Sequence, residues 1–149
     1  MKKYILKPIL ALFMLSVSLI SCTKNEEEAT PISTTPIFLY SEGGGATETV
    51  TTPYAVATSK SIFATTSGRT IIEINLSNLS VGAYTLDATN HFTYYKPGTS
   101  IIWTGYIGTI NITANASNKI SGNFHINSGN GSPTINEVSG TFTNIIINP

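Results

Sequence analysis

After residue 36, apolar and polar residues alternate along most of the chain, which is typical of β-strands that bury one face. In residues 70–76 (TIIEINL) the positions 72, 74 and 76 are apolar, while Ile71 shares the opposite face with Glu73. Residues 108–114 (GTINITA) repeat the alternation. A sheet with one buried and one wet face is usually antiparallel. The pattern therefore predicts an antiparallel sheet.

The same criteria predict further short strands, separated by turns rich in Gly, Asn, Ser and Pro. No long apolar pattern with a helical period occurs after residue 36, so the predicted class is all-β. We favour a single antiparallel β-sandwich, with a flattened β-barrel as the alternative. The further predicted strands are Ile37–Tyr40, Glu48–Thr52, Tyr54–Thr58, Ser61–Thr65, Ala83–Asp87, His91–Tyr95, Ile101–Tyr106, Lys119–Asn127 and Thr134–Ile147.

Two similar segments, ISGNF at 120–124 and VSGTF at 138–142, predict a hairpin. We expect a register with Ile120 opposite Phe142, Gly122 opposite Gly140, and Phe124 opposite Val138. Phenylalanine rings would then cover the groove that the glycines leave. After residue 142 the alternation stops at TNIIINP, which predicts either a bulge or a fully buried last strand.

The first 21 residues have the order of a signal peptide: lysines at positions 2, 3 and 7, an apolar run over 9–20, and a small residue at 21. The apolar run is shorter than the roughly 20 residues that a membrane-spanning helix needs. LISC, residues 19–22, resembles the bacterial lipobox, which predicts cleavage before Cys22 and acylation of its sulfur. Several acyl chains would give firm membrane attachment. An ordinary secretory signal beside an incidental cysteine is the alternative.

Residues 22–36 are predicted to be the lipidated cysteine and a flexible tether, and residues 37–149 one β domain. TKNEEE, after the cysteine, resembles the acidic export signals of Bacteroidota surface lipoproteins, although a solvated acidic linker is the alternative. We therefore expect an outer-membrane protein and leave open which way it faces. Losing residues 1–21 changes 8 basic and 8 acidic side chains to 5 and 8, a formal charge of −3. This balance argues against nucleic-acid binding.

Ionisable groups are few and scattered in the predicted domain, and we expect no catalytic residue, metal site or cofactor. Asp87 and His91 flank a turn-like ATN and could exchange a hydrogen bond across it. A hydrolase would need this pair to converge with a hydroxyl group. His125 falls on the polar face of its strand, which predicts a wet surface imidazole.

Aromatic residues offer the best candidates for ligand binding, namely Tyr95, Trp103 and Tyr106. If Tyr95 and Tyr106 are exposed on adjacent strands, they form a platform for a sugar or a peptide. Packing in the core is the alternative for these rings, because aromatic side chains dominate the cores of small β domains.

Three segments together resemble a β-rich lipoprotein family of Bacteroidota, described as domain of unknown function sixty-two fifty-two. The segments are INLSNLSVGAYTL (74–86), GTINITANASNKISGNF (108–124) and VSGTFTNI (138–145). The resemblance implies a signal peptide, a lipidated cysteine and one all-β domain, and it supplies no catalytic residue. We expect a non-enzymatic lipoprotein anchored in the outer membrane, with a β domain for binding or a structural role. The alternative is a carbohydrate- or peptide-recognition module, whose ligand would be a glycan or a protein.

Overall fold

The computed structural model describes residues 35–149. The predicted signal peptide, Cys22 and nearly all of the predicted tether lie outside the described residues. Within 35–149 the chain forms ten β-strands, and that part contains no helix, hence none that could span a membrane. The strands are β1 (Ile37–Glu42), β2 (Glu48–Val50), β3 (Thr52–Val56), β4 (Ser61–Thr66), β5 (Arg69–Asn75), β6 (Gly82–Thr85), β7 (His91–Tyr95), β8 (Ile102–Ala116), β9 (Lys119–Asn130) and β10 (Val138–Asn148).

Seven of these strands close into a barrel in the order β10-β3-β4-β5-β7-β8-β9. The ring closes because β10 pairs antiparallel with β9 and, through Ile147 and Asn148, parallel with β3. The β1–β2 hairpin extends the wall beside the first half of β10, and β6 lies beside β8. The all-β class is confirmed. Of the two architectures that the sequence leaves open, the barrel is the one found.

The long strand β8 explains why the sheet closes and does not split into two layers. The sequence predicted two strands here, 101–106 and 108–114, whereas one strand runs over 15 residues. It pairs with β9 through three register shifts, near Tyr106, Ile107 and Thr113. Each bulge bends a strand and increases its twist. A long, bent strand pair can therefore turn the sheet back on itself.

Ile71 is buried, although the alternation placed it on the polar face with Glu73. The pairing of β4 with β5 shifts between Ala64 opposite Ile72 and Thr65 opposite Thr70, which leaves Ile71 without a partner position. This bulge resets the alternation, so Ile71 and Ile72 are only 7% and 0% exposed. The prediction for Ile71 was wrong because strict alternation holds only for a regular strand.

The register predicted for the β9–β10 hairpin was also wrong. Phe124 lies opposite Gly140, and Phe142 lies opposite Gly122. A Cβ atom on Gly122 would lie 2.5 Å from Cζ of Phe142, and one on Gly140 would lie 2.6 Å from Cζ of Phe124. Each ring thus occupies the space above the facing glycine, which the register with paired glycines would have left empty. The predicted shielding of the glycines is confirmed, but by direct cross-strand contact.

The end of β10 contains the predicted bulge. The register shifts between Phe142 and Ile145, and Asn144 has a φ of 55°. Beyond the bulge the alternation returns, since Ile145 is buried and Ile146 is 46% exposed. The alternative of a fully buried last strand is therefore not found.

A chain of aromatic rings crosses the barrel interior. Phe38 of β1 lies 5.7 Å from Phe124, which lies 5.3 Å from Phe92, and Phe92 meets Trp103 edge-on at 6.2 Å between ring centroids. Such pairs contribute about 0.5–1.5 kcal/mol each beyond their buried area. Isoleucines of β4, β5, β8, β9 and β10 fill the remaining space, so the strands pack on a continuous core.

We expect Gly122→Ala to lower the free energy of unfolding by about 1–3 kcal/mol, the usual cost of overpacking a core. The new methyl group would collide with the Phe142 ring and with the carbonyl oxygen of Asn111. Asn127→Ala, on the exposed face of the same strand, is the control and should change little. Denaturant unfolding of both variants checks this. Equal stabilities would show that the glycine–ring contact does not hold the register.

Candidate functional site

The two tyrosines of the predicted platform lie on the outer face of adjacent strands but far apart along them. Tyr95 of β7 is opposite Ile102 of β8, whereas Tyr106 lies four residues further along β8, about 13 Å away at the rise of a strand. Tyr95 is partly buried, and its hydroxyl lies 3.4 Å from Oε2 of Glu73. Tyr106 is half-exposed. They cannot both stack on one sugar ring.

Trp103 belongs to the core. It is fully buried, packs against Phe92, and lies over Gly129, where a Cβ atom would collide with its Cε2. Its Nε1 finds no hydrogen-bond partner among the described residues. The core-packing alternative is therefore the one found for Trp103, and its indole has no exposed face for a ligand.

Tyr106 is part of an apolar stripe that runs along the outside of β8. We call Ile102, Thr104, Tyr106 and Ile107 the β8 stripe. The register shifts on both sides of Ile107 leave two consecutive residues, Tyr106 and Ile107, facing outward. These two residues are 50% and 53% exposed, and Ile102 is 53% exposed. Ile107 also borders a shallow depression of about 340 Å³, whose lining is Thr85, Gly108, Thr109, His125 and Asn127. The stripe itself carries no formal charge.

Asp87 and His91 form a turn. The Asp87 carboxylate accepts hydrogen bonds from the backbone N–H groups of Thr89 and Asn90, at 2.7 and 2.8 Å. These bonds, with the nearby His91, lower the pKa of Asp87. His91 Nε2 contacts the carbonyl oxygen of Ala88 at 3.0 Å. The predicted turn is confirmed, but each side chain bonds the backbone of the turn, and the predicted bond between them is not found.

His125 lies on the solvent-exposed outer face, as its position in the alternation of β9 predicted. Its side chain is 62% exposed, and Nε2 lies 3.8 Å from Oε1 of Glu137. Within residues 35–149 no group of three His, Cys, Asp or Glu side chains lies close enough to hold a metal ion.

A cluster that the sequence analysis missed lies at one end of the barrel, where residues of β1, β2 and the β1–β2 connection meet the end of β7 and the β7–β8 connection. Its members line a depression of about 390 Å³ together with Ala46 and Pro97. We call this the barrel-end cluster, and it consists of Tyr40, Glu42, Glu48, Tyr94 and Lys96. The depression is within the range of roughly 300–1,000 Å³ that is usual for small-ligand sites.

Glu42 holds the barrel-end cluster together from the end of β1. Its Oε1 accepts a hydrogen bond from Nζ of Lys96 at 2.6 Å, and its Oε2 accepts one from the Tyr94 hydroxyl at 3.0 Å. The Tyr94 ring lies 5.6 Å from the Tyr40 ring. β1 is not a hydrogen-bonded neighbour of β7, so these contacts bridge separate parts of the barrel wall. The carboxylate of Glu48 receives no hydrogen bond from any described residue.

Burial raises the pKa of both phenols of the barrel-end cluster. It is the largest cause that raises the pKa of Tyr94, and the neighbouring Tyr40 and Glu42 raise it further. Burial also raises the pKa of Tyr40; contact with the Tyr94 phenol opposes this, while Glu48 and Glu42 add to it. Both tyrosines thus remain hydrogen-bond donors at neutral pH.

No local motif could have revealed this cluster, because its members come from two segments, 40–48 and 94–96, that are distant in sequence. In HFTYY alternation puts Tyr94 on the same face as Phe92, and three glycines follow Glu42. Only the curvature of the barrel brings these two features together. The β8 stripe was equally hidden, since it depends on the register shifts around Ile107.

Comparison with family models matches residues 46–146 to a domain of unknown function (DUF6252). The match covers more than half of the chain, which therefore belongs to this family. A search of curated proteins and a search of solved structures each found no significant match.

We expect Tyr94→Phe to lower the free energy of unfolding by about 1–2 kcal/mol at neutral pH, because the variant loses the hydrogen bond to Glu42. The substitution should also change how the free energy of unfolding depends on pH in the alkaline range. Since the pKa of Tyr94 is raised on folding, its contribution is complete below the unfolded value near 10 and is lost as the pH rises above it. The stability of the variant should therefore fall less steeply above about pH 10.

Denaturant unfolding at neutral and alkaline pH measures both effects. Tyr106→Phe, which alters a half-exposed tyrosine, is the control and should retain full stability at neutral pH. If the stability of Tyr94→Phe fell above about pH 10 as steeply as that of the wild type, the raised pKa of Tyr94 would be contradicted.

Proposed function

We propose that this protein is a non-enzymatic lipoprotein that is anchored in the outer membrane through Cys22 and binds a polypeptide partner through the β8 stripe. Residues 22–36 would form the tether between the lipid and the barrel. The family to which the chain belongs has no described function, so the proposal rests on the residues of this chain.

The order of residues at the start of the chain supports the anchor. A basic start, an apolar run and a small residue precede Cys22, and an acidic triplet follows at positions 26–28. The polar segment that leads into β1 has the composition of a flexible tether. A tether would let the outer face of the barrel reach a partner. The acidic triplet supports a position on the cell surface.

The β8 stripe is the single observation that carries the binding role. Large apolar side chains exposed next to one another commonly mark a site of protein interaction. Isoleucine and tyrosine bury apolar area on binding, and the Tyr106 hydroxyl can still form a hydrogen bond at the interface. Thr104 of the stripe lies opposite Asn130 of β9, and Ile107 lies opposite Ser128. These polar side chains can form hydrogen bonds with a peptide backbone. A polypeptide therefore fits better than a sugar, which would need a continuous ring platform.

The anchor predicts that the wild-type chain incorporates radiolabelled palmitate in cells and that Cys22→Ala does not. Globomycin, which blocks cleavage of lipoprotein signal peptides, should cause the longer precursor to accumulate. Gel migration and autoradiography measure both. An unlabelled wild-type protein, or one released into the medium with a free thiol, would refute the anchor.

The stripe predicts that the full chain, purified in detergent, selects peptides from a displayed random library. A double variant, Tyr106→Ser with Ile107→Ser, should bind the selected peptides at least about tenfold more weakly, because two apolar contacts are lost. Val81→Ser removes an exposed apolar side chain outside the stripe and is the matched control. Peptides that bind the double variant as tightly as the wild type would exclude the stripe as the site.

A further inference from the structure

The barrel-end cluster offers unused hydrogen-bonding capacity inside its depression. Glu42 is already bonded within the protein, since Oε1 accepts from Lys96 and Oε2 accepts from Tyr94. Lys96 donates once to Glu42, and its ammonium group has two further N–H donors. The carboxylate of Glu48 accepts no hydrogen bond within the described part of the chain. The depression thus presents free donors and free acceptors together.

Charge limits the kind of ligand that this depression can hold. Two carboxylates and one ammonium group line it, so a phosphate or a carboxylate ligand would meet a net negative charge. An organic ammonium ion could pair with Glu48, but it has no lone pair with which to accept a hydrogen bond from Lys96. The hydroxyl groups of a neutral ligand can donate to Glu48 and accept from Lys96 at the same time.

Apolar surface completes the site. Ala46 and Pro97 lie on its wall, and the rings of Tyr40 and Tyr94 are buried beneath it. Both phenols are protonated at neutral pH and therefore add no charge. A flat ligand with apolar C–H groups and several hydroxyls matches this lining.

The geometry points to a binding site for a neutral saccharide unit at the end of the barrel, with its hydroxyl groups bonded by Glu48 and Lys96. This site is separate from the β8 stripe and does not depend on the function proposed for it. Glu42 is a positioning residue here, because it accepts hydrogen bonds from Lys96 and Tyr94 and so orients both.

A glycan array probed with the full chain in detergent tests the inference, with affinities for individual glycans measured by calorimetry. We expect binding of neutral glycans. Glu48→Gln should weaken it at least about tenfold, because a charge-assisted hydrogen bond becomes a neutral one. Ala46→Trp, which places a large ring in the depression, should abolish binding. Thermal unfolding should show that both variants remain folded.

Glu137→Gln, which removes a carboxylate away from the depression, is the matched control and should bind like the wild type. The Tyr106→Ser, Ile107→Ser double variant should also bind glycans normally, which separates this site from the β8 stripe. The inference is overturned if no neutral glycan binds, if only anionic or cationic glycans bind, or if Ala46→Trp retains wild-type affinity.

Discussion

Two reciprocal contacts fix the register between β9 and β10, and the closed barrel depends on that register. Phe124 covers Gly140, and Phe142 covers Gly122, so each strand provides both a ring and a space for a ring. A shift by one residue would turn the apolar set of one strand outward and bring the rings against other side chains. Because β10 also pairs with β1 and β3, an error in this register would displace both. The glycines act here through the space above them, since neither has a positive φ.

The first strand shows how the part of the chain outside the family match contributes to the fold. The match begins at residue 46, yet β1 pairs with β10 over its whole length and buries Phe38 beside Phe124 and Phe142. β1 also supplies Glu42 to the barrel-end cluster. The strand thus links the core of the barrel to the barrel-end cluster.

Local alternation was sufficient to predict most strands, because a half-buried strand imposes a period of two on its own sequence. The β7 boundaries agree with the prediction, and the other strand positions differ from it mainly at their ends. Strict alternation failed at Ile71, where a bulge adds a residue and reverses the faces, whereas the break in alternation after Phe142 correctly predicted a bulge. It also could not predict closure, which depends on long-range pairs such as Ile147 with Ala55. Pairs of this kind leave no local pattern.

The difference between local alternation and long-range pairing also explains which candidate residues could be found from the sequence. Alternation correctly placed His125 on the outer face, since it lies in a strand with a clear period of two. It could not tell whether two outward residues lie side by side, and Tyr95 and Tyr106 do not. Nor could it predict the contacts of Glu42 with Tyr94 and Lys96, because Glu42 lies more than fifty residues before both of them. In a closed barrel whose interior is filled with side chains, residues that bind a ligand must lie on the outer face or at an end. The position of a residue along its strand therefore decides its function as much as the face on which it lies.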